Sequence, residues 1–255
     1  MSTVKEIYET MCRLAPPELQ MSFDNVGFLL GHGLSEVDRA LLALDVTDDV
    51  IDEALSMDAE LIISHHPLIF QPLKSMTDDS AAGRRLLKLA ENRIAVISMH
   101  TNLDNAEGGV NDVLLALLGA EPLGVLDEDG CGRIGLLPHE TPMEEFLPFC
   151  KEKLQSNGLR YWDAGKPVRK LAVMGGSGAD CIGRAASLGC DTYVTADIKY
   201  HQFQTAVDLG INLIDGDHFC TENPVIYDLQ PKLAAAHPDV CFSVSKTHRQ
   251  IVRFA

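Results

Sequence analysis

Residues 51–64, Ile-Asp-Glu-Ala-Leu-Ser-Met-Asp-Ala-Glu-Leu-Ile-Ile-Ser, lie without a gap over residues 182–195, Ile-Gly-Arg-Ala-Ala-Ser-Leu-Gly-Cys-Asp-Thr-Tyr-Val-Thr, at an offset of 131. Ala54 meets Ala185, Ser56 meets Ser187, Met57 meets Leu188, Glu60 meets Asp191 and Ser64 meets Thr195. Both stretches are an amphipathic segment running into a short apolar strand, the pattern of an αβ unit whose strand is covered on both faces. Upstream, the strands ending in Ala43-Leu-Asp45 and Val173-Met174 take equivalent places; downstream, Ile94–Ile97 pairs with Ile211–Ile214 at an offset of 117. Each half reads strand–helix–strand–helix–strand. The expected fold is α/β, with two pseudo-symmetric lobes at residues 1–125 and 126–255, each a mostly parallel sheet flanked by helices.

Outward from the repeat, the expected strands are 26–30, 40–45, 60–64, 94–98, 170–174, 192–195, 211–214 and 240–245. Expected helices span 49–57, 81–92, 110–118, 142–155, 180–188, 200–209 and 223–236. Thr141 before Pro142 and Asn223 before Pro224 each read as an N-cap followed by proline at the first helical position. The N-terminus places Val4, Ile7, Tyr8, Met11 and Leu14 at helical spacing behind Ser2 or Thr3 as the cap.

The chain has 255 residues, 37 of them Asp or Glu against 21 Lys or Arg, for a net charge of −16. That balance argues against nucleic acid as a partner, because phosphate binding needs a basic face. The one local basic cluster, Lys246, His248, Arg249 and Arg253, reads as a strand end at the surface. No apolar run reaches the roughly 18 residues of a membrane span, and no secretory signal opens the chain. Seven cysteines are scattered without a Cys-x-x-Cys pair, as in a reduced, cytoplasmic protein.

Ligand sites in open α/β sheets form beyond the carboxyl ends of strands, and three such ends carry polar clusters. They are Ser64-His65-His66-Pro67, His100-Thr-Asn-Leu-Asp104-Asn105, and Asp215-Gly-Asp217-His218-Phe-Cys-Thr-Glu222. Adjacent side chains on a strand face opposite ways, so His65 and His66 can converge only where the strand stops, a stop Pro67 supplies. Imidazoles and carboxylates on turns after rigid strands suit a divalent transition metal: zinc, manganese or iron. His218 and Glu222 stand one helical turn apart. Three histidines and two carboxylates exceed the needs of one tetrahedral ion and match two ions sharing a bridging carboxylate.

The segments SFDNVGFLLG (22–31), LIISHHPLIF (61–70), HTNLDNAEGGVND (100–112), GCDTYVTADIKYHQ (189–202) and DGDHFCTENPVIYDL (215–229) resemble the Nif-three-like dinuclear-metal proteins, many of which carry the name GTP cyclohydrolase I type 2 homologue. The resemblance runs over nearly the whole chain. It implies two metal ions per chain, with His65 and His66 on different ions, Asp104 joining His66, His218 joining His65, and Glu222 bridging both. It also implies a ring-shaped homohexamer with the sites facing its cavity. Some members carry a domain inserted between the halves, where this chain has only about a dozen residues around 126–133, so it resembles the short form.

Other polar residues stay open. His100 would orient a ligand or shuttle a proton. The repeat sets His66 over Asp197, placing Asp197 to His201 at the equivalent strand end, with His201 the best general acid or base and Asp197 a further carboxylate candidate. Asp24 and Asn25 take no role from composition. Met174-Gly-Gly-Ser-Gly178 lacks the endings of phosphate- and dinucleotide-binding loops and reads as a tight turn rather than an anion seat. Two functions remain: a metal-dependent hydrolase acting on a small molecule, a nucleotide among the candidates, or a non-catalytic metal-dependent binding or regulatory protein.

Overall fold

Thr3 opens the first helix of the computed structural model, which describes residues Met1–Ala255. Its hydroxyl accepts the Glu6 N–H at 3.3 Å while the Glu6 carboxylate accepts the Thr3 N–H at 2.8 Å, a reciprocal cap. The helix, α1 (Val4–Leu14), buries Val4, Ile7 and Met11 at the expected spacing. The chain continues through β1 (Gly27–Leu30), β2 (Arg39–Ala43), α2 (Asp48–Ser56), β3 (Leu61–Ser64), α3 (Ala81–Glu91), β4 (Ala95–Ser98) and α4 (Thr101–Asn105). Next come α5 (Val110–Leu117), β5 (Glu121–Val125), β6 (Arg133–Thr141), α6 (Met143–Lys153), β7 (Arg160–Trp162) and β8 (Val168–Val173). The remainder is α7 (Ile182–Ser187), β9 (Thr192–Thr195), α8 (Tyr200–Leu209), β10 (Asn212–Asp215), α9 (His218–Glu222), α10 (Pro224–Ala236) and β11 (Cys241–Val244).

Two compact units result: Met1–Ala106 with Ile226–Arg249, and Glu107–Val225 with Gln250–Ala255. The first unit therefore breaks at 106 rather than 125 and takes in residues 226–249, while Gln250–Ala255 stay with the second. One pairing accounts for the return of residues 226–249. β11 adds in parallel to β2, Cys241 opposite Arg39 through Val244 opposite Leu42, which carries the C-terminal segment back to the first sheet.

The first sheet has the order β1-β4-β3-β2-β11, parallel except for β1, which lies antiparallel on β4. The second has the order β5-β6-β8-β9-β10-β7, with β8, β9 and β10 parallel and β5, β6 and β7 antiparallel at the flanks. Those three flanking strands are absent from the sequence expectation. β5 is exposed along its whole length and contains Pro122 and Gly124, β6 contains Pro138, and β7 is three residues long. None presents the apolar run or clean alternation that marks a strand in a sequence.

The repeat holds residue by residue. At an offset of 131, β3 falls on β9; at 117, β4 falls on β10. Leu41 faces Ile62 as Ala172 faces Tyr193, and Leu61 faces Ala95 as Thr192 faces Asn212. The matched acids Glu60 and Asp191 explain themselves here. Glu60 accepts the N–H groups of Asp38 and Arg39, and Asp191 those of Arg169 and Lys170. In each unit one carboxylate just before a strand, β3 or β9, clamps two consecutive amides near the start of its parallel neighbour, β2 or β8. β3, β4, β9 and β10 are buried along their whole length, so polar side chains gather where these strands stop.

Candidate metal centre

In the first unit β3 ends at Ser64, whose hydroxyl donates to the His66 carbonyl at 2.9 Å and meets the Ser98 hydroxyl at 2.8 Å. This turn brings two consecutive histidines to one end of the sheet. The His65, His66 and His100 rings stand 5.0, 5.2 and 5.5 Å apart pairwise, and one nitrogen from each lies within 4.8 Å of the others. His65 is fully buried.

Each ring is held by its Nδ1. His65 Nδ1 donates to the Met99 carbonyl at 2.8 Å, His66 Nδ1 to Asp45 Oδ1 at 2.7 Å, and His100 Nδ1 to Asp24 Oδ1 at 2.9 Å. Placing the proton on Nδ1 makes Nε2 the lone-pair nitrogen, which is how metal-ligating histidines are oriented. Asp45 also accepts from His248 Nε2 at 2.9 Å. Burial works against its charge, but the bonds from His248 and His66 prevail and hold the carboxyl well below the usual range. Asp24 is held low in the same way, by His100 and by the hydroxyl and N–H of Thr101. Asp104 projects from α4, its Oδ1 3.6 Å from His65 Nε2. Asp104 thus stands beside His65, where the resemblance assigned it to His66.

In the second unit β10 ends at Asp215, and Asp217, at φ +73°, caps α9 by accepting the Cys220 N–H at 3.2 Å. The helix starts on His218 and ends on Glu222, and one turn brings His218 Nε2 to 3.1 Å from Glu222 Oε2. His218 Nδ1 is tied to Asp197 Oδ2 at 2.7 Å. Asp197 therefore orients a histidine, as Asp45 does in the first unit. Burial opposes a charge on His218, but Glu222 and then Asp197 overcome it and push its pKa up to about 9. The pair holds a proton that a divalent cation would replace.

The glycine loop supplies the wall of this second site. Its amides are engaged: Gly175 N–H with Asn111 Oδ1, Gly176 N–H with the Thr221 hydroxyl, and Gly178 N–H with the Thr195 hydroxyl. No anion seat is left on them, and the tight-turn reading describes the loop. Gly176, at φ +62°, leaves the space that Glu222 fills: a Cβ there would sit 2.1 Å from Glu222 Oε1 and 3.1 Å from His218 Nε2. Sequence reasoning missed this, because an empty volume leaves no residue type to notice.

His201 lies exposed on the first turn of α8 and belongs to none of the ligand groups. His100, expected to orient or shuttle, is one of the three clustered rings. Asp24 and Asn25, without a role from composition, both serve the first site. Asp24 anchors His100, and Asn25 Nδ2 donates to the Ile69 carbonyl just beyond the histidine pair. In each unit, histidine rings with Nδ1 tied and Nε2 presented stand beside a carboxylate, Asp104 in the first and Glu222 in the second, and each of these groups fits divalent metal.

Comparison with known proteins agrees. The model of the Duf34/NIF3 family (NGG1p interacting factor 3) matches residues 2–250. A Clostridium perfringens protein named GTP cyclohydrolase 1 type 2 homolog is 37% identical over 249 residues, covering 94% of this chain and 95% of its own. A Helicobacter pylori protein named GTP cyclohydrolase 1 type 2 is 37% identical over 226 residues, covering 87% and 88%. Among solved structures, a Bacillus cereus protein related to NIF3 is similar at a TM-score of 0.90 and 27% identity, covering 100% of this chain and 99% of that one. The motifs, the fold and these likenesses converge, and the chain belongs to the Duf34/NIF3 family.

Proposed function

We propose that the protein holds two divalent cations per chain and uses them to hydrolyse a small molecule. The ligands are His65, His66 and Asp104 from the first unit and His218 and Glu222 from the second. One observation carries the reading: His65, His66, His100 and His218 all have Nδ1 bound to an oxygen acceptor, so all four present Nε2. Asp104 and His65, 3.6 Å apart in the first unit, would share one ion. His218 and Glu222, 3.1 Å apart in the second unit, would hold another.

When bound, such ions polarise a substrate bond and acidify water. The chain's own part is to fix the tautomers through Asp45, Met99 and Asp197, to keep water from His65 by burial, and to hold the Glu222 carboxylate against Gly176. The relatives named GTP cyclohydrolase 1 type 2 favour a nucleotide substrate. A cytoplasmic homohexamer completes the proposal; no helix is long and apolar enough to cross a membrane. The exposed position of His201, outside the ligand groups, favours the second reading, a metal-dependent binding or regulatory protein.

The test is metal-loaded protein screened against nucleotides and phosphoesters beside the His65→Ala/Glu222→Ala variant. Turnover is expected in the wild type and a fall to background in the variant. Equal turnover in both would identify a contaminant, and tight metal binding without turnover on any substrate would select the binding protein.

A further inference from the structure

Beside the three histidines stand two exposed aromatic rings that no ligand role explains. Phe23 is 62% exposed and Phe70 42% exposed. They meet edge to face at 6.4 Å and 69°, and Phe70 meets the His100 ring edge to face at 6.0 Å and 83°. Apolar rings left in water cost free energy unless something covers them. Their positions are built. Asn25 Nδ2 donates to the Ile69 carbonyl, tying the segment that carries Phe23 to the one that carries Phe70. Asp24, between Phe23 and Asn25 in the chain, anchors His100. Three consecutive residues thus supply a ring, an anchor for a clustered histidine and a clamp on the partner ring.

We propose that Phe23 and Phe70 form a platform for a planar heteroaromatic ring, whose attached anionic group would lie toward the metal-ligand cluster. The ligand class is a nucleotide, and the inference deepens the proposed function, on whose metal ions the anionic arm depends. Flat rings stack on exposed aromatic side chains with little dependence on their substituents, so the platform selects for possession of a ring rather than for one base. A small molecule is favoured over a second copy of the chain because the rings are tied, through His100 and Asn25, to the cluster itself.

The test uses metal-loaded full-length protein and calorimetric titration with guanosine 5′-monophosphate and with ribose 5-phosphate, which carries the anion without the ring. The wild type should bind the nucleotide at least about tenfold more tightly. In Phe70→Leu and Phe23→Leu that margin should shrink to about twofold or less, with ribose 5-phosphate affinity and ion content unchanged. A margin that survives both substitutions overturns the platform. So does a change in oligomeric mass at an unaltered margin, which would assign the rings to contact between copies. Titration with guanosine against ribose in chelator-treated protein separates the two proposals. A ring preference lost in Phe70→Leu upholds the platform even if the protein binds no ion, whereas bound ions without any ring preference uphold the metal centre alone.

Discussion

The Gly176→Ala protein is expected to fold and to lose the ion held by His218 and Glu222. The added Cβ would lie 2.1 Å from Glu222 Oε1 and 3.0 Å from its Cδ, far inside contact distance. Something must move, and the Glu222 carboxylate, at the end of a flexible side chain, gives most easily. The left-handed φ of +62° adds strain of about 1–2 kcal/mol for any residue with a Cβ. That cost is a fraction of the stability of a domain, so the fold survives while the ligand geometry does not. Elemental analysis should show at least one ion lost per chain, with the far-ultraviolet circular dichroism unchanged. Gly183→Ala is the matched control: a Cβ there meets nothing within 4 Å, and the position is helical. It should keep its full ion content. A Gly176→Ala protein that also does so would show that Glu222 does not need the cradle.

Asp45→Asn is expected to weaken metal binding by about 10- to 100-fold, the usual cost of removing the group that orients a ligating histidine. Asp45 receives both His66 Nδ1 and His248 Nε2, and its carboxyl is held ionised well below the usual range by those two rings. The amide is nearly isosteric but uncharged, and its NH2 end cannot accept from Nδ1. One amide oxygen is left for two rings, and with no charge behind it the bond to His66 Nδ1 weakens or is lost, so Nε2 becomes a poorer donor. Competition with a chelator of known affinity measures the change. Thermal stability should fall by no more than about 1–3 kcal/mol, because Asp45 is 40% exposed. An unchanged metal affinity would separate Asp45 from the ligand set.

The repeat was the most legible part of the molecule. Its two offsets, 131 and 117, describe β3 on β9 and β4 on β10 in register, because buried parallel strands write themselves as unbroken apolar runs. Residues 226–249 leave the second half because β11 pairs with β2, and partner choice between distant strands leaves no local pattern. The three polar strand ends were visible from residue type, whereas their wiring was not. Asp24 and His100 are 76 positions apart, and Asp45 and His248 are 203 apart. Asp197 was placed at its strand end by the repeat but needed coordinates to show that it orients His218. His201 lies exposed on the first turn of α8 and outside the ligand groups, which its residue type at a helix start does not reveal.

The central claim is that these residues hold metal, and ion content per chain measured on purified wild-type protein tests it directly. The account predicts about two divalent ions per chain, bound through washing and removed only by strong chelators. Fewer than about one ion per chain, after incubation with zinc, manganese and iron in turn, would contradict it.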